Sequence, residues 1–267
     1  MSVVKIKDIN ASEAEIYTRL NENQVKRLYE PKEGAFICES LRVIERALKA
    51  GYEPISFFAE ESRIGETQNL IKDEKIPIYT APAEDMQRIT GYSLTGGVLC
   101  AMRRKPLQSV RDLIREKKRI VVLDDVENPT NVGAIFRSAV ALKADGVILT
   151  EGSADPLYRR AARVSMGTVF LTDWTFGDAR VVEELKDAGF ATYGLALSEG
   201  AVDLNALNTA GFDKRAVIMG NEDHGISREI LSETDHVVKI PMEPGVDSLN
   251  VAAAGAVAFW EIFKDQP

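Results

Sequence analysis

The residues of this chain that could carry chemistry fall in three short segments. They are DDVENPTNVGAIFR at positions 124–137, AVIMGNEDHG at 216–225 and KIPMEPGVDSLNV at 239–251. Each sets amide, carboxyl, hydroxyl or guanidinium side chains beside a glycine, which lets another backbone or a ligand come close. Such segments bind and orient a ligand through hydrogen bonds and main-chain contacts.

The first segment follows an expected strand and passes an Asn-Pro turn into a helix that begins near Asn131. Gly133 leaves room for a ligand at the first helical turn. Arg137 lies six residues after Asn131 and therefore projects from a different face of the helix. The alternative is a helix cap followed by a solvated arginine.

The second segment sets Asn, Glu, Asp and His between Gly220 and Gly225, directly after a buried strand. This pattern favours a ligand-binding loop, and the alternative is a surface turn in which Asn and Asp adopt left-handed geometry. His224 is suited to proton transfer, because histidine is the residue type that titrates near neutral pH. The alternative for His224 is a solvated turn residue.

The third segment leaves a strand at Pro241, passes a Pro-Gly loop and enters a helix that Ser248 is expected to cap. Asn250 would then satisfy backbone groups in the first turn. Ser248 is not predicted to be a nucleophile, because GVDSLN lacks the GxSxG pattern and no histidine is placed to serve as its base.

Several common motifs are missing from the sequence. There is no GxxxxGK[ST] phosphate loop, no GxGxxG fingerprint and no HExxH. Cys38 and Cys100 make neither a disulfide framework nor a CxxC pair, and His224 and His236 leave little room for a histidine-rich metal site. We therefore expect no metal, and conventional nucleotide hydrolysis and dinucleotide binding are not favoured.

Strand and helix patterns alternate around these segments. Strands are expected at 119–124, 146–150, 168–172, 191–197, 216–219 and 236–240, and helices at 131–142, 178–188 and 249–263, with another helix starting at the Asp-Pro pair 155–156. This alternation predicts a parallel sheet covered on both faces. Ligands of such sheets bind beyond the carboxyl ends of the strands, where all three segments lie.

A smaller α/β region precedes this sheet. Strands are expected at 35–37, 55–59, 77–80 and 97–101, and helices at 40–50 and near 67–73. The basic stretch RRKPLQSVRDLIREKKR at 103–119 indicates a linker followed by a short helix, and it is either a solvated hinge or a phosphate contact. These features predict a domain at 1–105, a basic linker at 106–117 and a domain at 118–267.

The composition is that of a globular chain. Of the 267 residues, 45% are hydrophobic and 28% charged, which argues against a largely disordered protein. No apolar stretch is long enough to span a bilayer and the N-terminus has no signal core, so we predict a cytoplasmic protein without a membrane segment. The net charge of −8 means that nucleic-acid binding would require positive charge gathered locally.

The order and spacing of the three segments is more specific than any one of them. NPTNVGAIFR, IMGNEDHG and IPMEPGVDSLNVA together resemble the SpoU/TrmH family of S-adenosylmethionine-dependent RNA ribose 2′-O-methyltransferases, in the SPOUT superfamily. This resemblance covers about residues 118–267. FICESLRVIERAL and TGGVLCA resemble the ribosomal-protein-L30e-like RNA-binding domain that often precedes it, although Ser40 stands where that pattern usually has glycine.

The resemblance implies an α/β fold in which a small L30e-like domain precedes a parallel-sheet methyltransferase domain with a C-terminal trefoil knot. It implies S-adenosylmethionine as the cofactor, and a homodimer, for which the apolar C-terminal helix is suited. The residues it places in the catalytic site are Asn131, Arg137, Glu222, Ser248 and Asn250. Those it places in the cofactor site are Leu197, Gly220, Ile240, Met242 and Leu249.

The substrate implied by the resemblance is RNA, with ribosomal RNA favoured over transfer RNA. Because arginine stays protonated at neutral pH, Arg137 is expected to clamp a phosphate and stabilise a developing alkoxide rather than act as a base. RNA contacts are expected from the N-terminal domain, from 103–119, and from Arg159, Arg160 and Arg163, for which helix solvation is the alternative.

Three other functions stay open at this point. The chain is alternatively a tRNA 2′-O-methyltransferase, a non-catalytic RNA-binding or ribosome-assembly protein of the same fold, or an unrelated nucleotide-binding α/β protein. A non-catalytic protein predicts erosion of the motif residues, which are all present here. The nucleotide-binding alternative lacks a phosphate loop.

Overall fold

The computed structural model describes residues 2–6, 11–18, 20–27, 34–71, 73–90, 96–209, 211–246 and 248–264. The chain divides into two units. The first consists of Met1–Pro106 with Leu157–Phe170, and the second of Leu107–Pro156 with Leu171–Pro267. A segment from the middle of the chain therefore belongs to the first unit, whereas the sequence analysis expects 118–267 to be continuous.

The α-helices of the described residues are α1 (Glu15–Thr18), α2 (Glu22–Arg27), α3 (Leu41–Lys49), α4 (Ile64–Leu70), α5 (Ala83–Thr90), α6 (Val110–Ile114), α7 (Pro129–Ala141), α8 (Arg159–Val164), α9 (Val181–Asp187), α10 (Arg228–Glu233) and α11 (Val251–Ile262). The two longest of these helices, α7 and α11, belong to the second unit.

A mixed sheet forms the centre of the first unit. Its strands are β1 (Val3–Lys5), β2 (Ala35–Glu39), β3 (Pro54–Glu60), β4 (Ile78–Ala81) and β5 (Val98–Arg103), in the order β1-β4-β3-β5-β2. β4 runs parallel to β1 and β3, whereas β5 is antiparallel to β2 and β3. Apolar runs such as VLCAM form the central strands because their side chains are buried on both faces.

The segment Leu157–Phe170 completes the core of the first unit. The ring of Phe170 lies 5.9 Å from that of Phe36 and 5.2 Å from that of Tyr52, between centroids. In the same segment, Nη1 of Arg163 lies 3.1 Å from Oε1 of Glu39, whose side chain is fully buried. A buried carboxylate needs such a partner, so Arg163 has a structural role here rather than being held ready for RNA.

A seven-stranded sheet forms the centre of the second unit. Its strands are β6 (Arg119–Leu123), β7 (Gly146–Thr150), β8 (Asp173–Gly177), β9 (Ala191–Leu195), β10 (Val202–Asp203), β11 (Arg215–Met219) and β12 (His236–Lys239). The order is β10-β12-β9-β11-β6-β7-β8, and each neighbouring pair is parallel. The predicted parallel-sheet α/β fold is confirmed.

Helices cover both faces of this sheet. On one face, α6, α9 and α10 contribute to a core with alternate strand residues, including Ile120, Val122 and Ile218. On the other face, α7 and α11 pack together, and Gly255 of α11 lies so close to Met219 that a Cβ there would overlap its side chain. Strands buried on both faces read as continuous apolar runs such as RIVVL, which is why they were predictable.

The strand expected at 168–172 is wrong. Thr168–Phe170 forms a single 3-10 turn, and β8 begins only at Asp173. Val169 and Phe170 are buried, and periodicity alone does not distinguish a short apolar strand from a buried helical turn. The helix expected from 155–156 likewise begins later, at Arg159.

The short helix predicted in the basic stretch 103–119 is observed as α6, which lies within the range 106–117 predicted as the linker. Ser109 caps α6, because its Oγ accepts a hydrogen bond from the amide of Asp112 at 3.1 Å. Val110, Leu113 and Ile114 are buried in the core of the second unit. The basic residues of this stretch therefore lie on and around a packed helix.

Candidate active site

The carboxyl ends of β9, β11 and β12 border a cavity of about 570 Å³ in the second unit. Its walls come mainly from four stretches of chain, at 195–198, 219–226, 238–242 and 248–254. The three strands are parallel neighbours, so the loops that follow them emerge at one edge of the sheet. Open α/β sheets bind ligands at this edge, and the volume lies within the roughly 300–1,000 Å³ typical of ligand pockets.

One chain of side-chain hydrogen bonds joins all three predicted segments. The Nδ2 group of Asn131 donates to Oε1 of Glu222. Nδ2 of Asn250 donates to Oδ1 of Asn131 at 3.1 Å. We call this chain the amide–carboxylate relay; Glu222 and Asn250 line the cavity, and Asn131 connects them.

Asn250, not Ser248, caps the last helix. Oδ1 of Asn250 accepts hydrogen bonds from the amides of Ala252 at 3.0 Å and Ala253 at 3.4 Å. The expected cap at Ser248 is wrong because the helix starts at Val251, two residues later than the sequence pattern suggested. Ser248 lies in the preceding loop and lines the cavity.

The loop after β11 is closed by a two-way backbone bridge. The amide of Asn221 donates to the carbonyl of Gly225 at 3.1 Å, and the amide of Gly225 donates back at 3.0 Å. Gly220 precedes this bridge, and a Cβ on it would overlap the backbone of Gly225 and Ile226. Only glycine fits there, so the close approach at Gly220 is between two parts of the protein backbone.

Buried polar residues that the sequence analysis missed support this loop. Asp124 is 4% exposed, and its carboxylate accepts hydrogen bonds from the amide of Ser227 at 2.7 Å and from Oγ1 of Thr150 at 3.2 Å. Nδ2 of Asn221 donates to the carbonyl of Asp125 at 2.8 Å. The available signal was the Asp-Asp pair directly after a buried strand at the ligand-binding edge.

The five residues predicted for the cofactor site all line the cavity: Leu197, Gly220, Ile240, Met242 and Leu249. The side chains of Leu197 and Leu249 are exposed to 59% and 42%. Exposed apolar groups on the wall of a concave site are typical of ligand-binding grooves.

Arg137 stands apart from the other predicted catalytic residues. It is exposed on α7 and is not among the residues that line the cavity. Within the described part of the chain it has no hydrogen bond or ion pair. Its guanidinium is therefore available to an external anion.

Several basic residues of the stretch 103–119 form ion pairs with acidic residues of the same chain. Nζ of Lys117 lies 2.7 Å from Oδ2 of Asp173, and Nζ of Lys118 lies 3.3 Å from Oδ2 of Asp213. Arg115 pairs with Asp112 on the surface of α6. These pairs reduce the positive potential that this stretch offers to a phosphate backbone.

A membrane-spanning helix and a metal-binding group of side chains are both absent from the described residues. None of the helices in the described ranges is long and apolar enough to cross a membrane. Within those same residues, no three His, Cys, Asp or Glu side chains are grouped so as to hold a metal ion.

Solved structures share this fold across nearly the whole chain. An AdoMet-bound rRNA methyltransferase from Sinorhizobium meliloti superposes with a TM-score of 0.84 at 22% sequence identity, covering 97% of both chains. A solved RNA 2′-O ribose methyltransferase superposes with a TM-score of 0.76 at 22% identity, also covering 97% of both. These likenesses define the class of the fold: the chain has the α/β fold of these two methyltransferases, with a cavity at the strand ends.

The sequence comparisons then identify the family. The profile of the SpoU rRNA Methylase family matches residues 118–260. An uncharacterized tRNA/rRNA methyltransferase of Mycobacterium bovis is 36% identical over 228 residues, which is 84% of this chain and 79% of the relative. The chain belongs to the SpoU rRNA methylase family, and the family prediction from the sequence motifs is confirmed. The trefoil knot and the L30e-like assignment stay predictions.

Proposed function

We propose that this protein transfers a methyl group from S-adenosylmethionine to the 2′-oxygen of a ribose in RNA. The observation that carries the proposal is the amide–carboxylate relay, which ties Asn131, Glu222 and Asn250 together at a cofactor-sized cavity. Membership of a family of RNA methyltransferases supports the reaction class. The likeness in fold to an RNA 2′-O ribose methyltransferase favours ribose over base as the acceptor.

The residues around the cavity fit this cofactor. The apolar side chains of Leu197, Met242 and Leu249 form a wall against which a purine ring can pack, and the backbone at Gly220 and Ile240 offers main-chain hydrogen bonds. When bound, S-adenosylmethionine supplies a methyl group that its positive sulfur has already activated. The protein then has to align the acceptor oxygen and accept its proton.

Arg137 is proposed to bind the RNA rather than to accept the proton of the acceptor hydroxyl. A guanidinium remains charged at neutral pH and has no lone pair to accept a proton. Its planar fork binds a phosphate with two hydrogen bonds. We infer that Arg137 holds a phosphate next to the target ribose and stabilises negative charge on the acceptor oxygen.

The relay residues are assigned to positioning. Asn131 links α7, which carries Arg137, to the loop of Glu222 and to the cap of α11 at Asn250. Loss of Asn131 would therefore break both hydrogen bonds, whereas loss of Glu222 or Asn250 would break one. Ser248 is assigned to the wall of the site.

RNA capture is assigned to the N-terminal region, proposed as an L30e-like domain at 1–105. Ribosomal RNA is the favoured substrate and transfer RNA the alternative, and the cytoplasm is the proposed location. Because the acceptor is the 2′-hydroxyl, DNA is not a substrate.

A homodimer is proposed from the outer face of α11. Trp260 is 70% exposed and Val257 is 45% exposed, one turn apart on the same helix. Exposed apolar groups next to each other on a helix are typical of subunit interfaces. A second copy of this chain is the proposed partner.

Two measurements test the proposed function. Calorimetric titration with S-adenosylmethionine should show binding to the purified protein. The second measurement is the transfer of a labelled methyl group to rRNA and tRNA pools, followed by mapping of the 2′-O-methyl positions, and it should give one modified ribose. Arg137→Ala should abolish this modification without changing cofactor binding. Failure to bind the cofactor, or a label on a base, would refute the proposal.

A further inference from the structure

The histidine of the second segment has no part in the proposed binding roles, yet it forms a defined pair at the cavity. Nε2 of His224 lies 3.1 Å from Oδ2 of Asp125, and His224 lines the cavity. The side chain of His224 is 58% exposed and that of Asp125 is 34% exposed. The pair is therefore within reach of a substrate that approaches from solvent.

Asp125 is held in place from several directions. Its φ of 59° is in the left-handed region, which few non-glycine residues occupy. Its amide donates to Oγ1 of Thr150 at 2.9 Å and its carbonyl accepts from Asn221 at 2.8 Å. Its Oδ1 lies against Gly152, where any Cβ would overlap the carboxylate. These contacts fix the position of the Asp125 carboxylate, in a backbone conformation that aspartate adopts more readily than most non-glycine residues.

This contact pairs Nε2 of His224 with Asp125 and leaves Nδ1 as the other ring nitrogen. When the neutral ring donates its Nε2–H to the carboxylate of Asp125, Nδ1 keeps its lone pair and is a proton acceptor. A carboxylate in this position also stabilises the imidazolium that forms once the proton is taken.

The other charged groups near His224 are engaged elsewhere or lie on its own loop. Glu222 and Asp223 are its loop neighbours, and Glu222 accepts from Asn131. Lys239 lines the cavity from β12, with its Nζ 3.7 Å from Oδ1 of Asp203. Asp124 is bonded to Thr150 and Ser227.

We propose that His224 is the general base of the methyl transfer and that Asp125 is its positioning residue, an inference that rests on the proposed function. Nδ1 of His224 takes the proton as the O–H bond of the ribose hydroxyl breaks and the oxygen–methyl bond forms. The carbon–sulfur bond breaks at the same time, and its electron pair stays on sulfur, which becomes a neutral thioether. The imidazolium then loses the proton to solvent.

The first test separates a base from a structural residue. His224→Gln keeps an N–H for Asp125 but has no nitrogen that accepts a proton. We expect the His224→Gln variant to lower the single-turnover rate roughly 100- to 10,000-fold, the range of general acid–base catalysis. Its cofactor affinity should be unchanged, and its rate should no longer decline at low pH. Asp125→Asn should lower the rate less, because the base remains but its ring is no longer held.

His236 provides the matched control. It is the other of the two histidines in the chain, and its ring stacks on Tyr193 at 5.1 Å between centroids. It begins β12, whereas the cavity lies beyond the end of that strand. His236→Gln should retain the wild-type rate and its pH profile.

A second readout needs no activity. In nitrogen-15 spectra of the full chain without cofactor, the two imidazoles give separate signals, and His236→Gln assigns them. Neutral His224 should be the Nε2–H tautomer, and Asp125→Asn should shift it towards a mixture of tautomers. An Nδ1–H tautomer in the wild-type protein would overturn the proposal, even if the variants do not fold.

The outcomes distinguish this inference from the function it rests on. A wild-type protein that neither binds the cofactor nor methylates RNA overturns both. An active wild type with an equally active His224→Gln variant overturns only the base. A variant that raises KM for RNA while kcat is unchanged makes His224 an RNA-binding residue and also overturns the base.

Discussion

Replacing Ser40 by glycine should stabilise the protein. Ser40 links β2 to α3 with φ 77° and ψ 144°, close to a region of backbone space that is almost exclusive to glycine. Its hydroxyl makes no cap hydrogen bond to α3. The hydrogen bonds from its amide to Val98 and from Ile44 to its carbonyl use backbone atoms, which glycine retains.

The expected gain follows from two opposing effects. Holding a non-glycine residue in such a conformation costs about 1–3 kcal/mol. Glycine gives the unfolded chain more freedom, which costs about 0.4–1 kcal/mol in return. The difference between these two effects is about 0–2.6 kcal/mol. We expect Ser40→Gly to raise the free energy of unfolding by the middle of this range, about 1.3 kcal/mol, which corresponds to roughly 3–5 °C in Tm.

Urea unfolding followed by circular dichroism measures this gain, with Ser227→Gly as the matched control. Ser227 also precedes a helix without a side-chain cap bond, but its φ is −56°. The control should lose about 0.5–1 kcal/mol, because there glycine relieves no strain and only adds unfolded-state entropy. Equal destabilisation by both variants would show that Ser40 is not strained.

Three further predictions concern other parts of the chain. The Cβ of a Gly220→Ala variant would overlap the Gly225 backbone. We expect this variant to destabilise the protein by about 1–3 kcal/mol through overpacking and to weaken cofactor binding at least tenfold. Denaturation measures the first effect and calorimetry the second, and normal cofactor binding would contradict the prediction. Burial raises the pKa of the thiols of Cys38 and Cys100. A thiol reagent at pH 8 should therefore modify neither cysteine in the folded protein and both after denaturation. Labelling of the native protein would refute their burial. Trp260→Glu should convert a dimer into a monomer in light scattering, and an unchanged mass would remove α11 from the interface.

The sheet of the second unit was predictable because its strands are buried on both faces. Runs such as RIVVL and AVIM have one structural solution, and the predicted bounds differ from the observed ones by at most two residues at each end for five of the six predicted strands. The three chemical segments were expected to meet because parallel strands end at one edge. The relay of Asn131, Glu222 and Asn250 bears out that they converge.

The remaining features depend on contacts between residues distant in the sequence. The strain at Ser40 is a property of its backbone conformation, which the residue type does not reveal. The sign of it in the sequence is that serine stands where the resembled pattern usually has glycine. Asp124 and Asn221 support the loop after β11 through hydrogen bonds with the Ser227 amide and the Asp125 carbonyl. The Asp-Asp pair after a buried strand marks Asp124 in the sequence, but its partner Ser227 lies more than 100 residues later. The apolar run at 168–172 predicts a strand, but Phe170 instead packs against Phe36 and Tyr52, which lie more than 100 residues earlier and are not visible in the local pattern.

The return of Leu157–Phe170 to the first unit bears on how the protein is made and how it can be divided. A nascent chain that has emerged only to Pro106 lacks Arg163, which pairs with the buried Glu39, and Phe170, which packs on Phe36 and Tyr52. The first unit can therefore mature only after the ribosome has passed Phe170, well into the second unit. For the same reason, grafting this unit onto another methyltransferase requires two junctions in the recipient chain, and a truncation at the apparent boundary yields an incomplete fragment.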